Sequence, residues 1–295
     1  MARRRSAAGA IVVIGAALLE LRFAVEGLPQ PGGDVLAHDF EVRVGGSAVN
    51  VARTLQALGS RPLLVLHRGE GPFDRLVGRE LARLGLAVAG RRSRRPSGVT
   101  VTLVEPSGER SLVSALGAEG SVGAPDLPRD IAGAQAVYVS GYELLASDDL
   151  EAAVAALPDE VLVLLDPGPR GAEQGVLEAA WRRAGVVRLN QAEAVRRSGL
   201  ADAAAAAAHL GRGRAVVVST AEGAYAAQDG AVVAVAGGQR VSRDTTGAGD
   251  AHAAGLLAGL TCGMGLRDAT AFANRVARRH VLGEDLAGLE RVLGR

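Results

Sequence analysis

The stretch DTTGAGDAHAAG, residues 244–255, decides how the rest of the chain is read. Two glycines, Gly247 and Gly249, stand among hydroxyl and carboxyl side chains, and the small, apolar run AHAAGLLAGL follows. Glycine permits backbone conformations that a Cβ would hinder, so consecutive N–H groups can turn toward one point. The run predicts a helix, and its positive dipole end would join the N–H groups of Gly247, Ala248 and Gly249 in an anion hole. Asp250 falls in the first turn of that helix, where a carboxylate can accept the proton of an attacking hydroxyl. A transferring γ-phosphate is the natural occupant, because phosphoryl transfer asks mainly for positioning and charge stabilisation. The plainer alternative is a capped glycine turn, since Asp244 and Thr246 suit N-cap positions and an aspartate near a helix start is favourable anyway.

Upstream of this turn, short apolar runs rich in β-branched residues recur at 11–14, 63–66, 136–139, 161–165, 186–189 and 215–218. Helical patterns lie between and after them, at 48–58, 73–84, 148–157, 176–183, 203–210, 251–260 and 267–281. Strands alternating with helices indicate βαβ units, hence an α/β fold with a mostly parallel central sheet covered on both faces. Two stretches break the rhythm: 21–44, which carries LPQPGGD, and 99–114, VTVTLVEPSGERSLVS, whose Pro-Ser-Gly turn signals a hairpin. Both read as antiparallel strands of a small projecting sheet, with segments at about 20–44 and 98–115. A further hairpin around Asp229-Gly230 would extend the edge of the main sheet.

Composition narrows the partners. The 295 residues and 48% hydrophobic content suit one large unit, residues 10–295. A formal charge of +1 gives no reason to expect nucleic acid. The chain contains no lysine, so a Walker A loop is excluded, and any phosphate site must use backbone N–H groups, arginine or a metal. The arginines before the apolar run at 10–19 resemble a secretory leader, but the run continues into Glu20 and Arg22 without a cleavage site. Residues 1–9 therefore read as a disordered basic tail, and no other run approaches membrane-spanning length. The lone Cys262 fits a reducing, cytoplasmic setting.

The two motifs together carry a resemblance. DTTGAGD resembles the second signature of the ribokinase (PfkB) carbohydrate kinase family, and GGSAVNVARTLQALG, residues 45–59, resembles its first. The similarity in motif order and spacing runs over about residues 11–281. It implies a ribokinase-like domain with a β-sheet lid over a sugar or nucleoside, ATP near the C-terminal half, Asp250 as catalytic base, and homodimerisation through the lid. It leaves open a monovalent cation such as K+ near Asp244 and Thr246.

The remaining site residues follow from residue chemistry and the resemblance together. Gly46, Ser47 and Asn50 would bring a close backbone and an amide to substrate hydroxyls, the alternative being a helix capped by Ser47. Asn190 and Glu193, in NQAE after a strand, resemble the family's Asn-x-x-Glu element; oxygen ligands there suit Mg2+ held partly through water, or simply cap a helix. Ser219, Thr220, Glu222 and Gly223 resemble the nucleotide-binding turn, with Asn274 near the adenine, although an ordinary strand-to-hairpin turn reads similarly. Asp166-Pro167-Gly168-Pro169-Arg170 is similar to an Asp-x-Asn-x-Arg element, with Gly168 replacing the asparagine; Arg170 would meet a phosphate or acidic substrate, or form a surface salt bridge. Tyr142 and Glu143 read as rim residues, and His252 as structural.

Two departures bear on substrate. Relatives commonly carry an aspartate where this chain has Glu20, and ribokinases proper have a lysine where it has Ser47. With aromatic content of 3%, few rings are available to stack on a base, which favours a hydroxymethyl group of a sugar or sugar acid over a nucleoside. A nucleoside kinase of adenosine or pseudouridine type, and a non-catalytic sugar-binding protein on the same scaffold, stay open. A dehydrogenase is excluded, because VVIGAALLE offers no GxGxxG after its strand.

Overall fold

The structure, a computed structural model, describes residues 9–238 and 246–294. Most of the basic tail, residues 1–8, lies outside the described residues, as do Asp244 and Thr245.

Fifteen strands are described: β1 (Ile11–Ile14), β2 (Leu18–Ala24), β3 (Asp39–Gly45), β4 (Leu63–Val65), β5 (Arg68–Glu70), β6 (Ala87–Ala89), β7 (Arg92–Pro96), β8 (Val99–Val104), β9 (Arg110–Ala115), β10 (Ala136–Ser140), β11 (Leu162–Asp166), β12 (Val186–Asn190), β13 (Ala215–Ser219), β14 (Gly223–Gln228) and β15 (Ala231–Ala236). Nine form the central sheet in the order β15-β14-β13-β12-β11-β10-β1-β4-β6. Pairing is parallel from β13 through to β6, and the β14–β15 hairpin adds two antiparallel strands at one edge. The sheet separates two cores, which explains why its strands read as continuous apolar runs. Ile11 and Val13 face a core that includes helices Ser47–Ala57, Ala248–Thr261 and Leu266–Val281, whereas Val12 and Ile14 face one that includes helices Asp148–Ala155 and Ala203–Leu210.

The two stretches that interrupt the βα rhythm pair with one another as a second sheet, ordered β3-β2-β8-β9. The antiparallel expectation holds within each pair, β2–β3 and β8–β9, but the central pair β2–β8 is parallel. A hairpin turn dictates its own two strands and says nothing about which way a second hairpin docks beside it. The register splits this sheet by face. Leu19, Leu21, Phe23, Phe40, Val42, Val44, Val99, Val101 and Val113 share one side, and Glu20, Arg43, Thr100, Thr102 and Arg110 the other. Leu19 and Val44 at the base of the apolar side belong to the core of the main body. Phe40, Val42 and Val113, farther out, are exposed.

Candidate active site

At the opening of helix Ala248–Thr261, Gly247 takes a left-handed φ of 75° and no side chain caps the helix start. From Ala251 to Gly259 the helix is buried on all sides. Small residues make that burial compatible with close packing: a Cβ at Gly255 would lie 2.9 Å from the Cα of Ala273 on the neighbouring helix. Ala248 and Gly249, in the first turn of this fixed element, line the cleft.

The other glycine motif reaches the same place. Gly46 precedes helix Ser47–Ala57 with φ 100°, and a Cβ there would meet the carbonyl oxygen of Ala16 at 2.5 Å. This turn sets Asn50 one turn into the helix, where its Nδ2 donates to Asp250 Oδ2 at 2.8 Å. Arg53 Nη2 in turn donates to Asn50 Oδ1 at 2.9 Å, which fixes the amide's orientation. Enclosure in the cleft pushes the Asp250 carboxyl up to about 7; the Asn50 hydrogen bond opposes this, repulsion from Asp166 adds to it, Arg188 opposes it, and Glu20 adds to it. A carboxylate tuned close to neutrality is suited to general-base work.

Ser47 and Glu20 occupy different positions relative to that centre. The Ser47 side chain hydrogen-bonds the buried Tyr138 hydroxyl and sits where a Cβ on Gly15 would meet its Oγ at 2.8 Å, so its hydroxyl braces the turn. Glu20 is buried on the polar side of the small sheet, its Oε2 accepting from Arg43 Nε at 2.9 Å and its Oε1 from Thr102 Oγ1 at 3.2 Å. From the same side Arg110 Nη1 donates to Thr246 Oγ1 at 2.6 Å, so this sheet reaches across to the glycine turn. Nothing in the sequence singles out Arg110, which stands beside a hairpin turn.

A pocket of about 480 Å³ opens beside Gly249. Of the anticipated nucleotide-side residues, Asn190, Ser219, Thr220, Gly223, Gly249 and Asn274 line it. Glu222, which is exposed, and Gly247 are not among the lining residues. The Asn274 side chain is fully engaged: Nδ2 donates to the carbonyls of Val235 at 3.1 Å and Ala236 at 3.2 Å, and Oδ1 lies 3.2 Å from His252 Nε2. Burial, with Arg188 nearby, pushes His252 down to about 3, so it stays neutral and structural.

Asn190 and Glu193 form a reciprocal capping box, Asn190 Oδ1 accepting from the Glu193 N–H and Glu193 Oε2 from the Asn190 N–H, each at 2.9 Å. The carboxyl of Glu193 is raised by burial and by Asp166, and that of Asp166 by burial. These are hard oxygen donors whose repulsion a divalent cation would relieve, which fits Mg2+. Among the described residues, no group of three or more His, Cys, Asp or Glu is arranged around a metal position, so phosphates and water would supply the other ligands. The cation position near Asp244 and Thr246 lies partly outside the described residues.

Arg170 is exposed on the short helix Gly168–Gly171 and does not line the pocket. Tyr142 is 53% exposed, with its ring over Gly168, in keeping with a rim position. Glu143 is not at the rim: it is 2% exposed and accepts from the Gly120 N–H, and burial pushes it up to about 7. The sequence hides another residue, Arg188, which is 7% exposed on β12 and lines the pocket. In a one-dimensional reading an arginine inside an apolar strand signals a solvated edge, whereas here it faces Asp166 and Ser219.

Comparison with known proteins gives the family and the fold. The family model described as "pfkB family carbohydrate kinase" matches residues 9–285. The chain is 31% identical over 279 residues to the uncharacterized sugar kinase YegV of Escherichia coli (strain K12), covering 90% of this chain and 87% of that protein. In fold it is similar to adenosine kinase from Sinorhizobium meliloti, with TM-score 0.79, 20% identity and coverage of 96% of this chain and 98% of that one. It is equally similar to Arabidopsis thaliana ribokinase complexed with ribose and ATP, with TM-score 0.79, 21% identity and coverage of 98% and 99%.

Proposed function

The chain belongs to the pfkB family of carbohydrate kinases, and from that premise we propose that it transfers the γ-phosphate of ATP to a hydroxymethyl group of a sugar or sugar acid, with Asp250 as general base. The observation that carries this reading is the Asn50–Asp250 hydrogen bond, which joins the two glycine motifs at one carboxylate. Asp250 takes the proton of the acceptor hydroxyl as the oxygen forms its bond to the γ-phosphorus. The bond from that phosphorus to the β–γ bridging oxygen breaks, and ADP leaves with the electron pair. The N–H groups of Gly247, Ala248 and Gly249 face the phosphoryl oxygens, and Asn50 holds the base in orientation. Mg2+ near Asn190 and Glu193 would neutralise phosphate charge when bound.

The division of the small sheet supports a sugar over a nucleoside. Glu20, Arg43 and Thr102 offer donors and acceptors on the side from which Arg110 reaches Thr246. The stacked pair Phe23–Phe40 lies on the opposite, apolar side, away from any acceptor held by Glu20. A nucleoside acceptor is the second reading, favoured by the exposed ring of Tyr142 near Asp166 and Asp250.

The test pairs a panel of sugars, sugar acids and nucleosides, read as ADP release, with the Asp250→Asn variant. Transfer to a sugar or sugar acid is expected, and the variant should lose about 10²–10⁴-fold in kcat while retaining nucleotide affinity. Full turnover in the variant defeats the assignment of the base, and turnover confined to nucleosides moves the substrate to the second reading.

The apolar side also supports a homodimer, the proposed lid of one copy covering Phe40, Val42 and Val113 of the other. Sedimentation should give the dimer mass, and Val42→Glu should give the monomer; a wild-type protein that sediments as a monomer at micromolar concentration rejects this arrangement.

A further inference from the structure

The guanidinium of Arg188 lies under the glycine turn. A Cβ on Gly249 would stand 3.0 Å from its Nη1, 3.2 Å from its Nη2 and 3.3 Å from its Cζ. A side chain at residue 249 would crowd the guanidinium, so the cation and the opening turn of helix Ala248–Thr261 converge on one place.

For a buried arginine the partners are few. Nη1 reaches Asp166 Oδ2 at 3.5 Å, the outer limit of a hydrogen bond, and Nη2 donates to Ser219 Oγ at 2.9 Å. Nε is buried and has no hydrogen-bond partner, in a residue only 7% exposed that lines the pocket. A guanidinium carries five N–H donors in a planar fork, matched to carboxylate and phosphate oxygens. Leaving one of these unmet inside a protein is costly unless another partner arrives. The fixed partners are one distant carboxylate and one neutral hydroxyl.

Other cations nearby are engaged elsewhere or exposed. Arg53 is engaged with Asn50, Arg110 reaches Thr246 from the small sheet, and Arg278 lines the pocket but is exposed beside Gly238. His252, although buried against the pocket, is neutral. The chain has no lysine to take the part.

We propose that Arg188 is the phosphate-binding cation of this site, poised on Asp166 and Ser219 in the free protein and turning its unmet donors to the β- and γ-phosphate oxygens of ATP. The inference rests on the kinase reading above and adds to it a residue that contacts the leaving side. When the β–γ bridging bond breaks, negative charge grows on the β-phosphate of ADP. A guanidinium held in a low-dielectric pocket stabilises that charge without reorganising at the moment of reaction. Asp166 is then a positioning residue, which keeps the fork in place between turnovers.

The experiment is a ladder of affinities by calorimetry, with adenosine, AMP, ADP and ATP, for wild type, Arg188→Lys and Arg188→Gln. Wild-type affinity should rise with each added phosphate beyond AMP. Arg188→Gln should lose about ten- to hundredfold for ADP and ATP, with adenosine and AMP little changed, and Arg188→Lys should recover part of the loss. Because Arg188→Gln strands Asp166 beside it, the neutral pair Asp166→Asn/Arg188→Gln is measured as well, and thermal melting verifies its fold. A folded variant whose ADP-to-AMP ratio equals that of wild type overturns the proposal while leaving the kinase reading intact. Wild-type protein that binds none of the four overturns both.

Discussion

The wall of the cleft proposed to face the nucleotide is built from backbone and from side chains locked into the central sheet, whereas the wall proposed to face the acceptor is built from side chains that hold one another on a small sheet. On the first wall, Gly247 shapes the turn, Asn190 and Glu193 satisfy each other's backbone, and Asn274 is tied to two carbonyls. On the second, Glu20, Arg43 and Thr102 form a chain of contacts across three strands, β2, β3 and β8. A wall made of backbone geometry suits a constant ligand such as a triphosphate. Paired side chains can be exchanged without rebuilding the fold, which suits a ligand that differs among relatives.

The sharpest way to break that contrast is Glu20→Gln. The amide keeps the shape and removes the charge that Arg43 faces at 2.9 Å. Acceptor KM should rise about tenfold while ATP KM stays within about twofold, measured by varying each substrate at saturation of the other. If both constants hold and only the melting temperature falls, Glu20 is a strut for Arg43, and the acceptor wall is then as structural as the other.

The same contrast explains what could be read from the chain. The βα rhythm and both glycine motifs were legible because β-branched runs, helical periods and positive-φ glycines are local properties. β6, three residues long, and the arginine-rich β5–β7 pair carry no such signal. The parallel docking of β2 on β8 joins strands that belong to different hairpins, so no turn announces it. Asp250 and Asn50 were legible because each sits in a motif, but their mutual bond spans 200 positions. Glu143 reads as rim and Arg188 carries no signal for one reason: a charged residue reads as surface, and only the tertiary fold reveals that it is buried.

The smallest expected effect lies in the pH profile, where the two walls meet at Asp250. Its carboxyl is raised from 3.8 to about 7, so the free protein should show kcat/KM rising with pH and levelling above about 7, since the base must be ionised. The Asn50 hydrogen bond favours the ionised form and Glu20 disfavours it. Asn50→Ala should therefore shift the rising limb to higher pH, and Glu20→Gln should shift it to lower pH. Stability has the opposite sign to activity. Between 3.8 and about 7 the folded protein holds a proton that the unfolded chain releases, so this group's contribution to stability falls as pH rises through that window. Asp250→Asn should flatten that component of the stability profile in urea titrations at several pH values. A profile whose limb stays put in both Asn50→Ala and Glu20→Gln would mean that the titrating group is not Asp250, and that the base lies on one wall alone.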